Sequence, residues 1–140
     1  MTDAILPFTI DLYEEVIALW QESEGIGLSE ADSKEGIRFY LERNPGMSFV
    51  TKDQEGAILG AILCGHDGRR GYIHHLAVRQ GFRRQGTGRR LVQECLSRLK
   101  AIGIQKCHIF IFPDNQNGIK FWMSMGWTFR EDLRVISKNI

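Results

Sequence analysis

The chain has 140 residues, 43% of them hydrophobic and 25% charged, the make-up of an ordinary soluble globular protein and of one domain spanning residues 1–140. A net charge of +1 argues against a general nucleic-acid binder, and no apolar run approaches the roughly 20 residues of a membrane span. Met1-Thr2-Asp3-Ala4 is not a basic signal-peptide start, and Cys64, Cys95 and Cys107 are far apart in apolar runs, so they read as reduced core thiols of a cytoplasmic protein and not as a disulfide frame or a zinc site.

Ala4 to Phe8 is a short apolar first strand. Asp11 is placed to cap a helix over Leu12 to Ser23, with Val16, Leu19 and Trp20 facing inward. After a Gly-containing loop, Asp32 or Ser33 starts a second helix with an Ile37, Tyr40 and Leu41 stripe, stopped by Asn44-Pro45-Gly46. Ser48 to Lys52 and Ala57 to Gly65 read as a hairpin around Asp53-Gln54-Glu55-Gly56. A second turn, Asp67 to Gly71, leads into a strand at Tyr72 to Val78. A long helix runs from about Gln85 to Ile102, with Leu91, Val92, Cys95, Leu96 and Leu99 on one face and Gly103 at its end. Lys106 to Phe112 is an apolar strand, Asn117 to Met125 a short helix, and the alternation in Trp127 to Ser137 suits one or two final strands. The order predicts an α/β (α+β) layered domain whose mixed, mostly antiparallel sheet carries helices on its faces; a right-handed crossover through the long helix makes its two flanking strands parallel.

The chemistry gathers at Arg83-Arg84-Gln85-Gly86-Thr87-Gly88, between a strand and a helix start. Unpaired N–H groups and the dipole of a first helical turn favour an anion, and glycines let it reach the backbone. A P-loop needs Lys after its second glycine, but Thr87 follows Gly86. A Rossmann fingerprint needs a third glycine where Leu91 stands.

The segment fits, at every defined position, the Arg/Gln-x-x-Gly-x-Gly loop of the GNAT family of N-acetyltransferases. The resemblance extends to Leu76-Ala77-Val78, to the Asn-led run Asp114 to Trp122, and to Met125-Gly126-Trp127, and the element order agrees over nearly the whole chain. It is similar to small bacterial members. The resemblance implies a sheet of six to seven strands with about four helices on both faces. It implies acetyl-CoA as co-substrate, with no metal, and transfer of its acetyl group to a primary amine by direct attack in a ternary complex. The pyrophosphate is then expected on backbone N–H groups from Arg84 through Gln85, Gly86, Thr87 and Gly88 to Arg89, with Arg83 and its neighbours adding charge. Leu76, Ala77 and Val78 are expected to meet the pantetheine arm, Leu76 and Val78 pairing with it like a strand, and Asn115 to hydrogen-bond the cofactor.

Catalysis requires that the amine lose its proton and that the thioester carbonyl be polarised, for which the Val78 N–H is the resemblance-based candidate. His74, four residues before Val78, is the candidate base; a histidine holds that place in the serotonin N-acetyltransferases. Strict alternation puts Tyr72, His74, Leu76 and Val78 on one face, leaving Ile73, His75 and Ala77 to pack on the other. Trp122 stands where many members have an acid tyrosine, and an indole N–H is not a usable acid. That departure keeps a non-catalytic acyl-CoA sensor as the alternative. The acceptor, a small molecule or a protein amine, is expected near the Glu22 to Leu28 loop, with Glu22, Glu24, Glu30 and Asp32 as candidate charges. Nucleic acid and membrane are not expected partners; an edge strand near the C-terminus is a candidate homodimer surface.

Overall fold

A computed structural model describes residues 3–140 of the chain. They form two compact units, one ending at Phe110 and the other spanning Ile111–Ile140. The first holds a five-stranded sheet in the order β1 (Ile5–Pro7), β2 (Phe49–Lys52), β3 (Ile58–His66), β4 (Gly71–Val78) and β5 (Cys107–Ile109). The first four strands pair antiparallel, and β4 pairs parallel with β5. Helices α1 (Tyr13–Gln21) and α2 (Lys34–Arg43) lie between β1 and β2, and α3 (Thr87–Ala101) is the crossover between β4 and β5.

The turns follow from short polar side chains. Asp53 Oδ1 accepts the N–H groups of Glu55 and Ala57, both at 2.9 Å, and Asp67 Oδ1 accepts those of Arg69 and Arg70, both at 2.8 Å. β3 lies at the centre and is almost wholly buried, so its run is apolar on both faces. One face packs Val50, Ala61, Leu63 and Ala77 against Val16, Leu19 and Trp20 of α1 and Ile37 of α2. The alternate residues meet α3. A Cβ on Gly60 would stand 3.1 Å from the Leu91 side chain, and one on Gly71 2.5 Å from Leu99 Cδ1.

That second approach has a measurable consequence. Gly71→Ala forces the Leu99 side chain to move inside a packed layer and is expected to cost about 1–3 kcal/mol, the usual range for overpacking. Urea denaturation measures it. Adding Leu99→Val is expected to recover part of the loss, because residues in contact are not additive.

The first helix departs from expectation at its start. A 3-10 turn over Ile10–Leu12 precedes α1, so Asp11 lies inside that turn and does not cap the helix. In the second unit, α4 (Gln116–Ser124) is capped by Asn115, whose Oδ1 accepts the Gly118 N–H at 3.0 Å. Trp122 packs edge-on against Phe121 and Trp127, with centroids 5.4 and 4.7 Å away. Residues 127–140 form no strand, so the sheet has five strands where six to seven were expected, while the α/β class holds. Alternation supplies a strand-like side-chain pattern, but a strand exists only when its N–H and C=O groups find a neighbour.

Candidate active site

The parallel pairing of β4 with β5 covers only Gly71 to Ile73 against Cys107 to Ile109. From His74 to Val78 that side of β4 has no strand partner among the described residues. On its other side, the Arg79 N–H donates to the Leu59 carbonyl at 2.7 Å. Val78 stands opposite Gly60, one position earlier in the same register. Alternation therefore turns the N–H and C=O of Val78, and those of Leu76 two residues back, away from β3 and toward the open side. The Val78 carbonyl accepts Arg83 Nε–H at 2.9 Å. That bond ties the following loop to the end of the strand.

The loop from Arg79 to Gly86 is exposed except at its first residue and turns sharply. Arg84 (φ 66°) and Gly86 (φ 84°) are both left-handed, the second with no steric cost because it lacks a Cβ. Gly86 is the N-cap of α3 and offers no side-chain acceptor to the first turn. The Gly86 carbonyl takes the Arg90 N–H at 3.0 Å, while the amides of Thr87, Gly88 and Arg89 point out of the helix start. Gln85 and Arg89 are exposed beside them. Arg90 is committed elsewhere, its guanidinium donating to the Asp3 carbonyl. An open strand edge thus leads through a basic loop to a 15-residue helix that has no side-chain cap. This is a cradle for an extended ligand ending in phosphate.

β4 is not regular. Between Ala61 and Leu63, β3 is opposed by the longer run Ala77 to His74, so β4 carries an extra residue there. His75 takes the strain in a left-handed conformation, φ 53°. The bulge breaks the alternation, so His75 does not pack on the opposite layer from His74. Both meet the α1–α2 side: His74 touches Tyr40, and His75 touches Trp20, with centroids 6.1 and 4.9 Å apart.

The two rings differ in environment. His74 is stacked on Tyr72 (6.4 Å, 7° between planes) and also meets Phe110 at 6.1 Å. Burial, and then the neighbouring His75, hold its pKa below the ordinary histidine value, with Asp32 pulling weakly the other way. Both effects favour the neutral ring. His75 lies 2.8 Å from Asp32 through Nε2 and Oδ1. Asp32 is 7% exposed and sits in a 3-10 turn, Glu30–Asp32, closed by a capping box with Ser29. Tyr13 donates to the Asp32 carbonyl at 2.6 Å.

Sequence reasoning named Asp32 only as a helix start or an acceptor charge. Its pairing with His75 joins positions 43 apart, which no local period reveals. Of the other candidates, Glu22, Glu24 and Glu30 have side chains free of ion pairs among the described residues, in or beside the loop after α1. Asn115 and Trp122 belong to the second unit, where Asn115 spends its carbonyl oxygen on the helix cap. Among the described residues there is no group of three His, Cys, Asp or Glu placed to hold a metal, and no helix long and apolar enough to cross a membrane.

The family described as "Acetyltransferase (GNAT) family" matches residues 11–127. An acetyltransferase of Sodalis glossinidius is 26% identical over 95% of this chain and 92% of its own length. N-alpha-acetyltransferase 30 of Schizosaccharomyces pombe is 30% identical, covering 88% of this chain and 82% of its own. Among solved structures, Ard1 from Thermoplasma volcanium superposes with a TM-score of 0.81 at 21% identity, over 93% of this chain and 85% of that one. PaiA N-acetyltransferase from Thermoplasma acidophilum, crystallised with coenzyme A, gives 0.81 at 19% identity, over 94% and 92%. With the open β4 edge, the glycine-capped α3 and this breadth of similarity, the chain belongs to the GNAT family of acetyltransferases.

Proposed function

We propose that this protein transfers the acetyl group of acetyl-CoA to a primary amine by direct attack, with no covalent enzyme intermediate. The observation that carries the reading is the unpaired β4 edge followed, across one basic loop, by the first turn of α3 with no side-chain cap. Acetyl-CoA supplies a thioester whose carbonyl carbon takes the amine and whose thiolate leaves. Leu76 and Val78 hold the pantetheine amides as a neighbouring strand would, with Ala77 between them turned to β3. The amides from Arg84 to Arg89, opened by Gly86 and Gly88, hold the pyrophosphate, and Arg83 and Arg89 add charge. Asn115, the sequence's further candidate for the cofactor, keeps its amide nitrogen free of its own helix cap. The Val78 N–H polarises the reacting carbonyl. His74, the base put forward by the sequence, has its pKa lowered by burial and lies on the strand that carries the oxyanion donor.

Isothermal titration tests the donor site. Acetyl-CoA and coenzyme A are both expected to bind, and pantetheine, which lacks the pyrophosphate, to bind far more weakly. Equal affinity for pyrophosphate-free pantetheine would remove the α3 site. A non-catalytic acyl-CoA sensor is the second reading. It draws on Trp122, which is held among Phe121 and Trp127 and brings no hydroxyl to the place of the acid. Acetyl transfer is favoured because a thiol with an ordinary pKa near 8.5 leaves without a strong acid near neutral pH.

A further inference from the structure

β4 carries a histidine that none of the roles above uses. Its Nε2 is 2.8 Å from Asp32 Oδ1, and Asp32 Oδ2 takes the Ser29 N–H at 3.0 Å. A carboxylate only accepts, so the proton of the first bond belongs to Nε2. Neutral His75 is then the Nε2–H tautomer, with its free lone pair on Nδ1. Nδ1 makes no hydrogen bond among the described residues, and the side chain keeps 18% of its surface exposed.

The ring is held from several sides. Asp32 is fixed by its capping box and by Tyr13, and the buried Trp20 ring lies 4.9 Å from the imidazole. The backbone beneath takes a left-handed conformation that non-glycine residues seldom adopt, and such outliers cluster at functional sites. The bulge that creates it lies within the stretch where β4 is open beyond β5, immediately before Leu76. His74, by contrast, is enclosed by aromatic rings and has no carboxylate partner.

Resting on the acetyl-transfer reading, we propose that His75 Nδ1 takes the proton of the attacking amine, with Asp32 positioning the ring and stabilising the imidazolium. In this step the amine nitrogen forms the bond to the acetyl carbon, and the carbon–sulfur bond breaks with its electron pair on sulfur. The proton that nitrogen sheds passes to Nδ1 and from there to water, restoring the neutral tautomer. The titratable groups that meet His75 are Asp32 from the 3-10 turn and His74 from its own strand; α1 presents the uncharged Trp20. His74 forms part of the aromatic wall and is not the proton acceptor.

The test compares the unaltered protein with His75→Gln, Asp32→Asn and His74→Gln. Each is titrated with acetyl-CoA, and thiol release is followed from mildly acidic to mildly alkaline pH. The amines are spermidine, glucosamine, a peptide with a free N-terminus and a lysine amide blocked at its α-nitrogen. His75→Gln is expected to lower kcat by about 10²–10⁴-fold, the span of a general base, with acetyl-CoA affinity unchanged and the acid limb of the rate profile lost. Asp32→Asn is expected to lower kcat less than His75→Gln does, because the amide still reaches the ring but no longer fixes its tautomer. His74→Gln is expected to keep the acid limb in place. An active protein whose acid limb survives His75→Gln overturns this assignment alone. Acetyl-CoA binding without amine-dependent release in the unaltered protein overturns acetyl transfer and this assignment together. Imidazole nitrogen NMR on the unaltered protein tests the tautomer independently of folding in any variant: protonated Nε2 and bare Nδ1 are expected, and protonated Nδ1 in the neutral ring overturns the proposal.

Discussion

Val78→Pro is expected to leave a folded protein that binds acetyl-CoA but transfers acetyl about 10²–10³-fold more slowly, the usual effect of losing one oxyanion donor. The substitution removes an N–H that faces away from β3, so no ladder bond is lost. Ala77 is already in a strand, which satisfies the restriction on a residue before proline. Replacing the Val78 amide with an ester, by incorporating the α-hydroxy acid, removes the same hydrogen without adding a ring. Both variants are expected to lose kcat, and the ester to change acetyl-CoA affinity by about tenfold at most, the worth of one hydrogen bond. Steady-state kinetics with a calorimetric titration separates the two effects. Full activity in the ester variant removes Val78 as the polarising group.

Gly86→Glu is expected to weaken acetyl-CoA binding by at least about 100-fold, since charge-assisted phosphate contacts are lost and a like charge is added. No atom lies within 4 Å of a Cβ built at Gly86, so the new side chain has room, and its carboxylate suits a helix N-terminus. The fold should therefore survive, less the cost of a side chain at φ 84°, about 1–2 kcal/mol. Gly86→Ala bears the same backbone cost without the charge. It is expected to bind acetyl-CoA much more tightly than Gly86→Glu. Equal loss in both variants would assign the effect to loop geometry, and normal affinity in a folded Gly86→Glu would place the phosphates elsewhere.

The parts of the molecule legible in the sequence are those set by local rules. The Asp53–Gly56 hairpin and the α3 stripe of Leu91, Val92, Cys95 and Leu99 each follow from a short-range pattern, and the structure has them. The open β4 edge was legible through the family resemblance alone, because no property of Leu76 or Val78 says where β5 stops pairing. The bulge was not legible. One inserted residue reverses which face every later side chain meets, and nothing in Tyr72 to Val78 marks His75 as the insertion. The Asp32–His75 pair depends on that bulge and on a turn between α1 and α2, so it too waited for the fold. The stretch from Trp127 shows the opposite failure, an alternating pattern with no strand beside it.

The central claim is acetyl transfer from acetyl-CoA to an amine, and thiol release across the amine panel tests it most directly. At least one amine is expected to raise release well above hydrolysis, with one acetylated amine found by mass spectrometry for each thiol formed. Tight acetyl-CoA binding with no amine raising release would contradict the account and leave an acyl-CoA sensor in its place.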